Sequence, residues 1–276
     1  MGVIRYDITE DNFAEKKLPF CELSILAGVD SSSYLIVDDE NQMNALRAIA
    51  HDKEESWWKK DDRLNHTYRK TRLAWLSDRF TIIPARLYDG NRRREYLSSL
   101  TTLKESDSVL ADAIPELDIF LVYALDGTTL SEWRRTFIGC RFYHLLTPVL
   151  HQLALHNRQQ LEPIVYAYFR DDLLTVVAIE NGQLHFCNAF TCKAANDFLY
   201  FLLLAYEQCK WSPSTVNLQL FGELVEDAAI YKLFYRYFKK MKFSKLPADA
   251  AMSNKTNMER LDEHLFYDLF SLQLYH

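Results

Sequence analysis

Two stretches place chemically capable side chains between apolar runs. Asp30-Ser31-Ser32-Ser33 offers one carboxylate and three hydroxyls, and Arg170-Asp171-Asp172 offers two carboxylates and a guanidinium. Carboxylates can hold a divalent cation and hydroxyls can donate to a phosphate oxygen, but Asp also favours turns for its own backbone hydrogen bonding, and solvated turn carboxylates are the plainer reading. Gly222-Glu223 closes another apolar run, and such a glycine lets a backbone approach a ligand closely.

His144 and His151 stand seven apart, a spacing that could share one helix face, yet no third residue at metal-ligand spacing accompanies them. The five cysteines, Cys21, Cys140, Cys187, Cys192 and Cys209, are odd in number and scattered, as expected for reduced thiols in a cytoplasm. Cys187 and Cys192 read as small buried hydrophobes. No Gly-x-Ser-x-Gly elbow supports a serine nucleophile. No catalytic residue and no metal site are assigned.

Lys232, Arg236, Lys239, Lys240 and Lys242, with Lys245 beyond, fall opposite an apolar stripe made by Ile230, Leu233, Phe234, Tyr237, Phe238 and Met241. This spacing predicts an amphipathic helix from about Asp227 to Met241 whose wet face is basic. With Tyr231 and Tyr235 nearby, an RNA-binding surface is the alternative. The chain's net charge of −6 gives no reason to expect nucleic acid as the main partner. Arg92-Arg93-Arg94 is a shorter cluster with the same two readings.

These residues need elements to hold them. At 276 residues the chain is long enough for two domains, and its aromatic content of 14% predicts an interior rich in rings. Leu23, Ile25, Ala27 and Val29 alternate at the strand period, and the pattern resumes at Tyr34 and Ile36, which predicts a hairpin. Asp39 and Gln42 can cap a helix carrying Met43, Leu46, Ile49 and Ala50. Residues 51–65 read as a charged helix with Trp57 or Trp58 turned inward. The two apolar runs around Ser77-Asp78-Arg79 read as a second hairpin, with Pro84 at its edge or end. Ile119–Leu125 is a strand, followed by a turn at Asp126-Gly127 and a helix opened by Thr128 or Thr129. Phe142 to Leu155 forms another helix, and the polar stretch 156–163 marks a boundary, giving domains 1–160 and 161–276.

Tyr166 to Phe190 is a three-stranded meander. Its second turn, Asn181-Gly182, is a strong hairpin signal because both residues accept positive φ. The meander strands are apolar on both faces, so helices must cover both sides, and 194–209 is one such cover. A strand at Val216–Phe221 follows. The two halves repeat an order, with "DIFLVYALDGTTLSEW" and "TVNLQLFGELVEDAAI" as matching later pieces, which implies an internal duplication of a ββ…αβα unit.

That order resembles the actin-like ATPase fold, a two-domain mixed α/β architecture of duplicated ribonuclease H-like βββαβα units, shared by sugar kinases and pilus-assembly proteins of the PilM type. The chain is similar to a bacterial family of unknown function with this fold through "LSILAGVDSSSYLIVDD", "RFTIIPARLYDG", the meander from Tyr166, and the ending "EHLFYDLFSLQLYH". The resemblance implies that Asp30 with Ser31, Ser32 and Ser33, and Arg170 with Asp171 and Asp172, occupy the two phosphate-clasping turns, and that Gly222 and Glu223 occupy the nucleoside corner. Each departs from an ATP-binding pattern. The first turn lacks glycine, the second presents two carboxylates, and the corner has one glycine where a pair is usual. In the ribonuclease H-like relatives, Asp30, Asp171 and Asp172 would be candidates for a two-metal nuclease centre, a reading set below that of turn carboxylates.

The expectation is a cytoplasmic, non-catalytic binding or scaffold protein with degenerate phosphate turns. No cofactor is expected, and its partner would be another protein. A divergent ATP-binding or kinase-like enzyme using ATP and Mg²⁺ is the alternative. Neither the polar N-terminus nor the apolar run 198–206 suggests a leader or a membrane span.

Overall fold

Strand order explains how the chain is built. The computed structural model describes residues 3–10, 13, 15–28, 31–51, 57–250 and 261–276. Its strands are β1 (Val3–Thr9), β2 (Glu22–Ala27), β3 (Ser31–Val37), β4 (Met43–Ala50), β5 (Lys70–Trp75), β6 (Phe80–Pro84), β7 (Asp107–Ile114), β8 (Ile119–Asp126), β9 (Arg141–His144), β10 (Ile164–Arg170), β11 (Leu173–Glu180), β12 (Gln183–Thr191), β13 (Asn217–Gly222) and β14 (Met241–Phe243). The α-helices are α1 (Arg93–Ser98), α2 (Gly127–Thr136), α3 (Leu146–Asn157), α4 (Ala195–Gln208), α5 (Ala229–Phe234) and α6 (Tyr267–Leu274).

One sheet runs β1-β4-β3-β2-β5-β9 and another β12-β11-β10-β13-β14. Without β1, the two have one topology. In each, an antiparallel meander comes first, a fourth strand pairs parallel with the meander's first strand, and a fifth pairs parallel with the fourth. The duplication is therefore present, but the matching pieces differ from those the sequence suggested. The counterpart of β13 is β5, because both lie parallel to the opening strand of their meander. β8 belongs to a separate three-stranded sheet, β6-β8-β7, inserted between β5 and β9.

The chain divides into two compact units, one of residues 1–149, 248–261 and 269–276, the other of 150–247 and 262–268. In the first, Leu23, Ile25, Tyr34, Ile36, Ala45 and Leu73 form a core with Trp57, Trp58, Trp133 and Phe137. Trp58 and Trp133 have ring centroids 4.4 Å apart. Trp57 and Trp58 are thus both buried; of the helix expected over 51–65, residues 52–56 lie outside the described residues, and the rest forms two 3-10 turns, Trp57–Lys60 and Asp62–Asn65. In the second, Val165, Ala167, Val176 and Leu218 meet Phe198, Leu202 and Tyr206 of α4 and Phe234 of α5. The opposite face is covered too. Asn157 of α3 donates to the Tyr166 hydroxyl at 2.8 Å, and Tyr267 of α6 packs on Phe221 with centroids 4.7 Å apart.

Several expected elements differ. Residues 43–50 form β4, not a helix; the spacing of three between Met43, Leu46 and Ile49 suits a helix and puts Leu46 on the opposite strand face from the other two, but pairing with β1 and β3 on both edges decides for the strand. β5 and β6 are not a hairpin, because they join different sheets, with Pro84 ending an edge strand as a proline should. Asp126, rather than Thr128 or Thr129, caps α2, accepting from the Thr129 N–H at 2.9 Å. The helix expected over 142–155 gives its first residues to β9. The basic helix stops at Phe234, and Met241 already lies in β14.

Candidate functional site

In the second unit, β10 and β11 exchange seven residue pairs from Ile164↔Ile179 to Arg170↔Leu173, which leaves Asp171 and Asp172 as a two-residue turn. Asp171 takes φ 51°, a conformation that Asp tolerates better than most residues, so the turn forms without glycine. Asp172 is exposed, and its carbonyl accepts from the Cys192 N–H at 2.8 Å. Arg170 points the other way. Its side chain is 5% exposed, and Nη1 donates to Asp268 Oδ2 at 2.9 Å. The Tyr168 hydroxyl donates to the same oxygen at 2.7 Å. Burial opposes the Arg170 charge, but the Tyr168, Asp268, Glu223 and Asp171 groups around it raise its pKa above the ordinary value. Burial, followed by the Asp268 carboxylate, pushes the Tyr168 hydroxyl well up.

β13 ends beside this turn. Gly222 lies at φ 89°, and a Cβ there would sit 2.0 Å from the Phe169 carbonyl oxygen and 2.9 Å from the Tyr168 ring. Only glycine fits such an approach. The Glu223 N–H donates to the Phe169 carbonyl at 2.7 Å, and its side chain is exposed. The glycine is therefore required by the contact between strands β10 and β13.

In the first unit, Asp30 lies outside the described residues. Ser31, Ser32 and Ser33 are placed in β3 rather than in a turn, paired with Ala50, Ile49 and Ala48 of β4 and all buried. Ser32 Oγ lies 2.8 Å from His51 Nε2, whose ring stacks on Trp57 with centroids 5.8 Å apart. Ser32 is thus committed inside the protein.

The two histidines do not share a helix face. His144 ends β9, while His151 is in α3. His144 is fully buried, its Nε2 donates to the Ser77 carbonyl at 2.8 Å, and Nδ1 accepts from the Leu146 N–H at 3.2 Å. Burial lowers its pKa to about 4, so the ring is neutral at pH 7. Asp112 Oδ2 accepts from the His144 N–H at 2.8 Å and from the Thr147 hydroxyl at 2.7 Å, and burial pushes this carboxyl up to about 6. Asp112 thereby ties the inserted sheet to the start of α3. The thiols of Cys140 and Cys192 are raised to about 12 and about 11 by burial, the reverse of an activated nucleophile. Among the described residues, no group of three or more His, Cys, Asp and Glu is suited to a metal ion.

Sequence reasoning missed Asp268 and Tyr168. The one signal was an acidic residue inside the apolar run "HLFYDLF".

Residues 10–241 match a family described as "Protein of unknown function (DUF3822)". No curated protein matches the chain. Among solved structures, a protein of Bacteroides thetaiotaomicron with an actin-like ATPase fold and unknown function is similar at 21% identity and a TM-score of 0.76, covering 90% of this chain and 97% of that one. The PilM-PilN type IV pilus biogenesis complex is similar at 12% identity and a TM-score of 0.62, over 92% and 97% of the two chains. The ethanolamine utilization protein EutJ from Carboxydothermus hydrogenoformans is similar at 8% identity and a TM-score of 0.50, over 93% and 90%.

Proposed function

The chain belongs to the DUF3822 family of proteins of unknown function and has the actin-like ATPase fold, and from that premise we propose that it is a non-catalytic binding or scaffold protein. The two halves, 1–160 and 161–276, act as the domains of the fold, and the turns that face phosphate in its ATP-binding members serve the protein's own structure.

One observation carries the reading. Arg170, the only cation of the β10–β11 turn, is buried against Asp268 and Tyr168, while the exposed tip carries Asp172. A polyphosphate approaching that tip meets a carboxylate and no available guanidinium, an arrangement that repels it. Glu223 beside Gly222 adds another exposed carboxyl where a nucleoside would approach. The likeness to a pilus complex supports a protein as the partner. Reduced, scattered cysteines support a cytoplasmic location, and among the described residues no helix is long and apolar enough to cross a membrane.

The test is titration calorimetry of the full chain with Mg·ATP, with thermal melting alongside. A ligand at a hundred times its dissociation constant stabilises by about 2.7 kcal/mol and moves the melting point by roughly 5–11 °C in a protein of this size. The expected result is no heat and no shift at millimolar ATP. A shift abolished by Asp30→Ala would overturn the proposal in favour of a working nucleotide clasp.

A further inference from the structure

The basic run of the second unit is not the wet face of a helix. α5 ends at Phe234, and the chain then turns through residues 235–240 into the short edge strand β14. Between Asp227 and Asp249 there is no acidic residue, while Lys232, Arg236, Lys239, Lys240, Lys242 and Lys245 are all present. The whole-chain charge of −6 conceals this segregation. Each of the six is exposed. Lys232 has a fully exposed partner in Asp227 at 4.0 Å, too solvated to neutralise it appreciably. The other five side chains form no hydrogen bond or ion pair among the described residues.

The turn is held firmly. Phe234 and Phe238 are 0% and 2% exposed, and their rings meet edge to face with centroids 5.6 Å apart. The Phe238 N–H donates to the Phe234 carbonyl at 3.0 Å, and the Lys240 carbonyl accepts from the Leu218 N–H of β13 at 2.8 Å. With both phenylalanines anchored in the core, the residues between them project outward. Tyr235 is 71% and Tyr237 47% exposed, on either side of Arg236. Two exposed rings thus stand beside a guanidinium and two lysines, presented on a backbone already fixed.

We infer that the turn Tyr235–Lys240, with Lys232 and Lys242 at its margins, is a binding surface for single-stranded nucleic acid. Bases stack on Tyr235 and Tyr237, and phosphates meet Arg236, Lys239 and Lys240. The composition favours this partner over a protein, because lysine is depleted in protein–protein interfaces and five of the six cations here are lysines. The inference is independent of whether ATP binds.

The experiment is fluorescence anisotropy of a labelled oligouridine of roughly 12 nucleotides against the full chain, a length that spans one such site. Binding should weaken linearly in log–log form between about 50 mM and about 200 mM salt, with a slope of about −0.7 per phosphate contacted. Lys239→Glu with Lys240→Glu should cost at least about tenfold in affinity and flatten that slope by about 1.4. Tyr235→Ala with Tyr237→Ala should cost about tenfold or more with the slope unchanged, while Tyr235→Phe retains affinity, since stacking needs the ring alone. All these side chains are exposed, so each variant should keep the parent melting point. Absence of binding at the lowest salt overturns the inference. So does binding indifferent to both double substitutions, or equal competition by polyglutamate or anionic vesicles, which would mark a general polyanion surface.

Discussion

Replacing Asp268 by Ala removes the one oxygen that receives both Arg170 at 2.9 Å and Tyr168 at 2.7 Å. The carboxylate is 1% exposed and the guanidinium 5%, so water cannot take its place without disrupting the packing. Breaking a buried pair by removing one partner costs about 3–5 kcal/mol, because the remaining charge is left uncompensated. That is a large share of the roughly 5–15 kcal/mol that holds an ordinary domain. Hydrogen exchange followed by mass spectrometry on peptides covering 164–191 measures the loss where it occurs. At about 1.4 kcal/mol per factor of ten, β10 and β11 amides that open with the unit should exchange roughly two to three and a half orders of magnitude faster. Changing the whole cluster to apolar groups, Arg170→Met, Asp268→Leu and Tyr168→Phe together, should restore most of the protection, since a well-packed apolar replacement of a buried pair is often neutral or stabilising. A loss below about 1 kcal/mol in Asp268→Ala would refute the reasoning. Arg170 would then not be held by Asp268 and could turn to a ligand, and the turn would no longer favour a non-catalytic protein.

Two further predictions concern other parts of the protein. Gly222→Ala should destabilise by about 3 kcal/mol or more, since its Cβ would lie 2.0 Å from a backbone oxygen, whereas Gly139→Ala, at φ 76° with open space around it, should cost only about 1–2 kcal/mol in urea denaturation. The pair Asp112 and His144 should make acid stability depend on both. The carboxyl is raised to about 6, so its contribution is full below the unfolded value near 3.8 and is lost as pH rises through 6. The ring is lowered to about 4, so its contribution is full above 6.5 and is lost as pH falls through 4. The two oppose each other between pH 4 and 6, and Asp112→Asn, which removes the first, should make the melting point fall more steeply on acidification than in the parent. An unchanged slope would contradict the assignment.

What the sequence determined by itself lies where local pattern and turn chemistry agree. The meander β10-β11-β12 was legible because apolar runs flank Asn181-Gly182, both at positive φ as the turn requires. β8, α4 and β13 were legible for similar reasons, and the order of elements was enough to suggest a duplicated fold. Tertiary structure decided the rest. Met43, Leu46, Ile49 and Ala50 have the helical spacing, and the two flanking strands override it. β5 is kept from pairing with β6 by β2, a partner 48 positions earlier in register, and by β9. The basic segment leaves the helical period at Phe234 because β14 pairs with β13, a contact that no local spacing encodes. Likewise, Arg170 meets Asp268 across 98 residues. A turn's sequence can say that it carries a cation, but whether that cation faces a ligand or the interior depends on which distant carboxylate the fold brings beside it.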